Sequence, residues 1–220
     1  MDTKESLKNR ICSLLKQFLS WFSAFWDRIV TIILVICVIG GGIWYCLRYT
    51  VPEETALRQN LLETAEFWLG CMESDGSHQQ IIDLYNAAEP TPRDYKVTYD
   101  DNWCATFGSS AAIAAGMTQI IPPECSCQQQ ILLFESMGCW QENDSYLPKT
   151  GDYIYYVWDE WRRGDCTAWA NHVGIVAETF GPVIKVIEGN KDDAVAYRYI
   201  FLNDICIRGY GLPDYGKLCQ

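Results

Sequence analysis

The stretch that most constrains the fold is residues 29–47, "IVTIILVICVIGGGIWYCL", which contains no charged side chain. A helix rising 1.5 Å per residue over this length crosses a hydrocarbon core of about 30 Å. The stretch therefore predicts a single transmembrane helix. One alternative is a cleaved signal peptide, but the preceding basic region is unusually long and no A-x-A-like site follows. A lipoprotein signal at Cys37 is disfavoured, because Ile36 is too bulky for the small residue expected there.

Basic residues set the predicted orientation of this helix. Five precede it, namely Lys4, Lys8, Arg10, Lys16 and Arg28, whereas only Arg48 follows it closely. Because Lys and Arg are retained on the cytoplasmic side, we expect a single-pass protein of the cell membrane with a cytoplasmic N-terminus. Residues 1–28 form the cytoplasmic segment, and their aromatic side chains suit a helix in the lipid headgroup layer. Everything from about residue 51 onward is expected outside the cytoplasm.

Charge differs sharply between the two sides of this segment. Residues 1–50 hold six Lys and Arg against three Asp and Glu, and the rest of the chain holds 11 against 25. Affinity for nucleic acid comes largely from neutralised phosphates. An outer part this acidic excludes nucleic acid as a partner. It would also be repelled by anionic wall polymers, so proximity to a cell wall would have to come from the anchor.

The outer part has helical patterns first and strand patterns afterwards. Helical spacing predicts a juxtamembrane helix over residues 48–62 and further helices in residues 77–88, 104–115 and 128–138. Runs rich in β-branched and aromatic residues predict strands in residues 151–158, 172–179, 183–189 and 196–202. Helices followed by antiparallel strands indicate an α+β domain with helices packed on one face of a small sheet. We place this domain at residues 63–220.

A candidate nucleophile lies at the start of one predicted helix. Cys104 opens "CATFGSSAAIAAG", with Asp101 or Asn102 as the expected cap, and the positive end of the helix dipole lowers a thiol pKa. A cysteine nucleophile also needs a base and a group that orients the base. The chain has two histidines. A capping or surface role accounts for His78, which leaves His172 as the candidate base.

Strand pairing predicts a partner for His172. If residues 179–181 form a three-residue loop with Gly181 in the left-handed conformation, residues whose numbers sum to 360 face each other. His172 then lies opposite Glu188, within reach of its carboxylate, and Asn190 stays on the same face. A slip of one residue would move Glu188 to the other face. Each residue alone is more often structural than catalytic, and it is their conjunction that favours catalysis.

The sequence gives no pattern for a metal site. Asp100 and Asp101 lack the alternating carboxylates of a calcium loop. Cys125, Cys127 and Cys139 lie close together, but C-x-C spacing is wrong for a common zinc clip and no nearby His completes four ligands. We expect neither a metal nor a cofactor. The outer part has seven cysteines besides the candidate nucleophile, so at least one stays unpaired or pairs between chains.

Four blocks of this sequence, "NWCATF", "PKTGDYIYYVWDE", "HVGIV" and "VIEGN", resemble in order the landmarks of CHAP domains. These are the cysteine, histidine-dependent amidohydrolase/peptidases of the NlpC-like and papain-like superfamily. The resemblance covers about residues 63–212 and implies a papain-like α+β fold that needs no cofactor for its chemistry. Gly108 and Ser109 depart from the aromatic or branched residues common there, which concerns packing. The insertion "DEWRRGDCTAW" is expected to form a loop over the substrate groove.

The resemblance also implies a role for each matching residue. Cys104 would be the nucleophile and His172 the general base that later acts as acid. Glu188 would orient His172, with Asn190 as a supporting polar group. The backbone N–H of Cys104 would stabilise the oxyanion, assisted by the side chain of Asn102.

The expected function is that of a membrane-anchored peptidoglycan hydrolase. CHAP domains mostly cut amide bonds in the stem peptide or cross-bridge of peptidoglycan, or between sugar and peptide. The resemblance therefore implies an N-acetylmuramoyl-L-alanine amidase or an endopeptidase with a Cys-His-Glu mechanism. Two alternatives stay open. One is an inactive module that binds the wall or a partner, and the other is a deamidase or acyltransferase that acts on proteins.

Overall fold

Helices and strands occupy separate parts of the chain. The computed structural model describes residues 21, 25, 32–41, 53–158 and 168–219. In the last two ranges the α-helices are α1 (Glu53–Glu66), α2 (Gln79–Asn86), α3 (Cys104–Ala114) and α4 (Cys127–Ser136). The strands are β1 (Trp140–Gln141), β2 (Tyr153–Tyr156), β3 (His172–Phe180), β4 (Val183–Lys191), β5 (Ala194–Phe201) and β6 (Ile207–Gly211). The predicted α+β class is confirmed.

The strands form one antiparallel sheet in the order β1-β6-β2-β3-β4-β5. The sequence patterns predicted β2 to β5 but neither β1 nor β6. Strand β6 contains two glycines, which are poor strand formers and are typical of close approach. A Cβ on Gly211 would lie 2.6 Å from the Phe134 ring of α4. Glycine is needed there because α4 packs directly on this strand.

Helix α3 lies at the centre of the domain. Most of its residues are buried, and its small side chains bring it close to the sheet. Tyr153 of β2 donates from its hydroxyl to the carbonyl of Gly108, 2.7 Å away, and a Cβ on Gly108 would lie 2.8 Å from that ring. A Cβ on Gly189 of β4 would overlap with Phe107 of α3. The N-terminal turn of α3 is therefore packed tightly against β4.

The β3–β4 hairpin differs from its predicted register. The expected three-residue loop is wrong, because the loop consists of residues 181–182 alone, although Gly181 does have the left-handed conformation (φ 55°). A bulge between Val176 and Glu178 then shifts the pairing, so that Ile175 faces Ile187. Beyond the bulge the register differs from the predicted one by two residues. Because this shift is even, side chains expected on one face remain on one face.

The chain divides into two units, Met1–Val51 and Pro52–Gln220. In the first, residues 32–41 are helical and exposed. The rest of the predicted span 29–47 lies outside the described residues, as does the segment 1–28 apart from Trp21 and Phe25. In the described part of the chain, none of the helices combines the length and hydropathy that a membrane crossing requires.

The second unit opens with α1. This helix runs from Glu53 to Glu66, so residues 48–52 of the predicted juxtamembrane segment lie outside the described residues. Its buried side chains, Leu61, Leu62 and Ala65, belong to the main hydrophobic core. Helix α1 therefore packs as part of the domain.

Candidate active site

Cys104 is the first residue of α3, and its side chain is 5% exposed. The residue at the cap position is Trp103, which makes no side-chain capping bond, so the predicted caps Asp101 and Asn102 are wrong. The buried Trp103 ring is fixed instead by a hydrogen bond from Nε1 to Glu73 Oε1 (2.9 Å). Because the first N–H groups of a helix lack intrahelical partners, they are free to bind an anion at this position.

His172 and Glu188 interact directly. His172 is the first residue of β3, and its Nε2 lies 3.0 Å from Glu188 Oε2 on β4. Both side chains are buried, Glu188 completely. The two residues do not face each other as predicted, because the register beyond the bulge places Glu188 beside Gly174. The carboxylate reaches His172 diagonally, and Nδ1 is the ring nitrogen left for Cys104.

Sequence reasoning missed Arg198 of β5. Its Nε donates to both carboxylate oxygens of Glu188, at 2.8 and 2.9 Å. Arg198 pairs with Val186 across the sheet, so it too reaches Glu188 diagonally. The available signal was a lone cation inside the apolar run "AYRYIFL", next to the strand that carries Glu188. A buried carboxylate needs such a partner, because an uncompensated charge is costly to bury.

Cys127 is the second residue that the sequence did not connect with the site. It is the first residue of α4, it is 7% exposed, and its Sγ lies 3.6 Å from Cys104 Sγ. The hydrogen bond with the Cys127 thiol lowers the pKa of Cys104 well below its usual range, and His172 and the Ala105 N–H lower it further against the effect of burial. The same contact and burial raise the pKa of Cys127 well above its usual range. The opposite directions of these two shifts favour the thiolate at Cys104 and the thiol at Cys127.

The His172 ring is charged in this arrangement. Burial disfavours the imidazolium, but hydrogen bonds to Cys104 and Glu188, together with their negative charges, raise the pKa of His172 to about 9. Each group therefore favours the charged form of the other, the thiolate at Cys104 and the imidazolium at His172. This is the reactive state of a cysteine nucleophile, because the thiolate attacks while the imidazolium holds the proton that a leaving group needs.

Aromatic rings line one side of the imidazole. Tyr156 stacks on His172 with ring centroids 5.9 Å apart, and Trp158 stacks on Tyr156 at 4.7 Å. The Arg198 guanidinium lies 4.6 Å from the centre of the Trp158 ring. Trp158 is the last described residue before the predicted insertion, of which residues 159–167 lie outside the described residues. The stacked rings hold both His172 and Arg198 in place.

Asn102 and Asn190 contact each other rather than His172. Asn190 is the last residue but one of β4 and has a left-handed φ of 54°. Its side-chain Nδ2 lies 3.3 Å from Asn102 Oδ1. Asn190 thus fixes the side chain two positions before Cys104. When Asn190 donates to the Asn102 carbonyl oxygen, the Asn102 amide N–H groups remain available to other acceptors.

The remaining candidates have structural partners. His78 is buried, packs on the Trp103 ring at 5.7 Å, and places Nε2 3.2 Å from the Tyr99 carbonyl. Asp101 accepts hydrogen bonds from Thr98 and Tyr95. His78 is therefore not brought to the nucleophile, and Asp101 closes a local turn. Within the described ranges, no group of three or more His, Cys, Asp or Glu side chains is arranged to hold a metal ion.

Comparison with known proteins adds no assignment to this geometry. Nothing matches the chain among protein-family models, curated proteins or solved structures.

Proposed function

We propose that this protein is a cysteine amidohydrolase/peptidase of the CHAP type, anchored in the cell membrane and acting on peptidoglycan. The proposal rests on one connected series of four side chains. His172 interacts with Cys104 and lowers the pKa of its thiol, Glu188 contacts the His172 ring, and Arg198 donates to Glu188. A purely structural cysteine at a helix start requires neither a charged imidazole nor a buried carboxylate. A papain-like arrangement of helices and sheet is part of the proposal.

The first half-reaction is acylation of Cys104. The thiolate attacks the carbonyl carbon of an amide, the carbonyl electrons move to oxygen, and a tetrahedral oxyanion forms. The backbone N–H of Cys104 and the Asn102 amide are the proposed donors to that oxygen. His172 then gives its proton to the amide nitrogen as the C–N bond breaks. The products are a free amine and a thioester on Cys104.

The second half-reaction is hydrolysis. Neutral His172 takes a proton from water, and the hydroxide attacks the thioester carbonyl. The C–S bond breaks, which releases the carboxylic acid and restores the Cys104 thiolate and the imidazolium. Glu188 keeps the ring oriented and stabilises its positive charge in both halves, and Arg198 keeps Glu188 ionised and in place.

The proposed substrate, peptidoglycan, and the proposed membrane anchor are both inferred from the sequence. The CHAP resemblance supports amide bonds of the stem peptide or cross-bridge as substrate, and residues 29–47 support a single-pass anchor with the domain outside the cytoplasm. An anchor confines cleavage to nearby wall, which suits local remodelling better than lysis. It also supplies the proximity that the acidic domain, with 25 Asp and Glu beyond residue 50, does not supply by attraction.

The direct test is digestion of purified peptidoglycan by the full-length protein in detergent. We expect new amino termini that mass spectrometry identifies at one class of amide bond, no cleavage by a Cys104→Ala variant, and unchanged cleavage by Cys139→Ser. Cys139 is a suitable control because its thiol donates to the Met137 carbonyl (3.5 Å) and is not part of the series from Cys104 to Arg198. Binding of wall without new termini would support the binding module instead. Release of ammonia or acyl transfer from protein substrates alone would support the protein-directed enzyme.

A further inference from the structure

The cysteine that faces the nucleophile forms and breaks no bond in the hydrolytic reaction above. Cys104 and Cys127 are 23 positions apart, yet each is the buried first residue of a helix, and their sulfur atoms are in van der Waals contact at 3.6 Å. A covalent S–S bond is about 2.05 Å long, so the two sulfur atoms need to approach by about 1.5 Å. Rotation of two cysteine side chains that already point at each other is a small change.

We propose that Cys127 is a resolving cysteine, which closes a reversible disulfide with Cys104 when a peroxide oxidises the nucleophile. The inference rests on the proposed function for the nucleophilic character of Cys104. It does not depend on which amide bond the protein cuts. The pair is a modification site whose reactant is a small hydroperoxide, since both thiols are less than a tenth exposed.

The steps balance with hydrogen peroxide as the oxidant. The Cys104 thiolate attacks one peroxide oxygen, the O–O bond breaks, and His172 protonates the departing hydroxide, which gives a sulfenic acid and water. Neutral His172 then takes the Cys127 proton, and the Cys127 sulfur attacks Cys104 Sγ. The S–O bond breaks, and the hydroxyl leaves as water with the proton from His172. In total two thiols and one peroxide give one disulfide and two waters.

The opposite pKa shifts of the two neighbouring thiols favour this order of events. Their contact at 3.6 Å lowers the pKa of Cys104, which then meets the oxidant first as the thiolate, and raises that of Cys127, which favours its thiol form. Only after Cys104 has lost its charge does the Cys127 proton move readily. The neighbouring Cys125 is directed elsewhere, towards the Glu124 carboxylate at 3.7 Å. Cys127 is therefore the expected partner rather than Cys125.

The experiment uses full-length protein reduced without oxygen, exposed to a slight excess of hydrogen peroxide, alkylated and mapped by mass spectrometry. We expect the wild type to lose two hydrogen atoms and two alkylation sites, to yield a Cys104–Cys127 cross-linked peptide, and to regain both thiols with dithiothreitol. The Cys125→Ser control should behave in the same way. In Cys127→Ser, where no resolving thiol exists, Cys104 should proceed to the sulfinic acid, which dithiothreitol does not reverse.

Two results would overturn the inference. One is a wild type whose Cys104 is over-oxidised as readily as in Cys127→Ser, and the other is a disulfide that joins Cys104 to a different cysteine. Neither readout needs a substrate. A disulfide without wall cleavage would refute the hydrolase and leave this inference standing, and cleavage without the disulfide would do the reverse.

Discussion

His172 Nε2 lies 3.0 Å from Glu188 Oε2, and the carboxylate reaches the ring by crossing over Gly174. A Cβ on Gly174 would lie 2.5 Å from Val186 Cγ1, 2.7 Å from Glu188 Cγ and 3.0 Å from the Ile187 carbonyl oxygen. Glycine at position 174 is therefore part of the site, because without a side chain there the Glu188 carboxylate has room to reach the His172 ring.

The first prediction concerns this glycine. In Gly174→Ala the added methyl displaces Glu188, and we expect a loss of about 100-fold in kcat, typical of misplaced catalytic groups. Overpacking should lower the free energy of unfolding by about 1–3 kcal/mol. Wall digestion and urea unfolding measure the two effects. Gly216→Ala is the control, since its methyl would make only an ordinary contact with Asp214, and wild-type kcat in Gly174→Ala would refute the claim.

The second prediction separates positioning by Arg198 from simple stabilisation. Arg198→Gln removes the positive charge that offsets Glu188, so the pKa of His172 should rise and the alkaline limb of kcat/KM should move to higher pH. We also expect destabilisation of about 1–3 kcal/mol from the weakened buried carboxylate.

The matched control for Arg198 is Arg58→Gln. Arg58 donates to the buried Asp152 at 2.8 Å in a similar ion pair that does not include the catalytic series. The Arg58→Gln variant should lower the free energy of unfolding in urea by a similar amount and leave the pH profile of kcat/KM unchanged. If the two variants have the same pH profile of kcat/KM, Arg198 contributes to stability only and does not position the catalytic groups.

The third prediction is the pH dependence of the wild type. The pKa of His172 is raised from 6.5 to about 9, so the stability it contributes is fully present below about pH 6.5 and is lost as pH rises through about 9. This contribution is on the order of 3 kcal/mol.

Activity should fall through the same alkaline range, because the imidazolium that protonates the leaving amine disappears. On the acid side it should fall as Cys104 takes up a proton. Glu188→Gln should move the alkaline limb down, and an unmoved limb would contradict the role of the carboxylate.

The fourth prediction concerns the thiol pair. Because the Cys127 hydrogen bond is the largest cause of the lowered pKa of Cys104, Cys127→Ala should raise that pKa. The rate of iodoacetamide alkylation of Cys104 against pH measures the change. Cys127→Ser retains a donor and should lie closer to the wild type. Identical profiles for the Ala variant and the wild type would mean that Cys127 does not stabilise the thiolate.

Local patterns predicted the α+β class, a helix that starts close to Cys104 and the strand that carries His172. They also placed His172 and Glu188 on one face, although the loop length and the bulge were wrong. That result survived because the register error was even, and an odd error would have separated the pair. The alternation of side chains along a strand thus predicts which face of the sheet His172 and Glu188 share. Whether the two residues touch depends on the bulge, which the sequence pattern does not predict.

Contacts between distant segments were not predictable in this way. Cys127 meets Cys104 only because α3 and α4 converge at their first residues, and no short-range pattern encodes that convergence. Arg198 was missed because its partner lies on a neighbouring strand at a diagonal position. Strand β6 was missed because its two glycines weaken a strand pattern, although the packing of α4 requires Gly211 and that of β1 requires Gly209.

Cys104 and His172 are each the first residue of a regular element, so the segments that lead into them form the rim of the site. Within those segments, residues 98–101 and 168–171 carry no strand pairing of the main hairpin. Selection or engineering can therefore exchange these residues, and with them the substrate choice of the proposed enzyme, while the hairpin and the central helix that carry Cys104, His172 and Glu188 stay as they are.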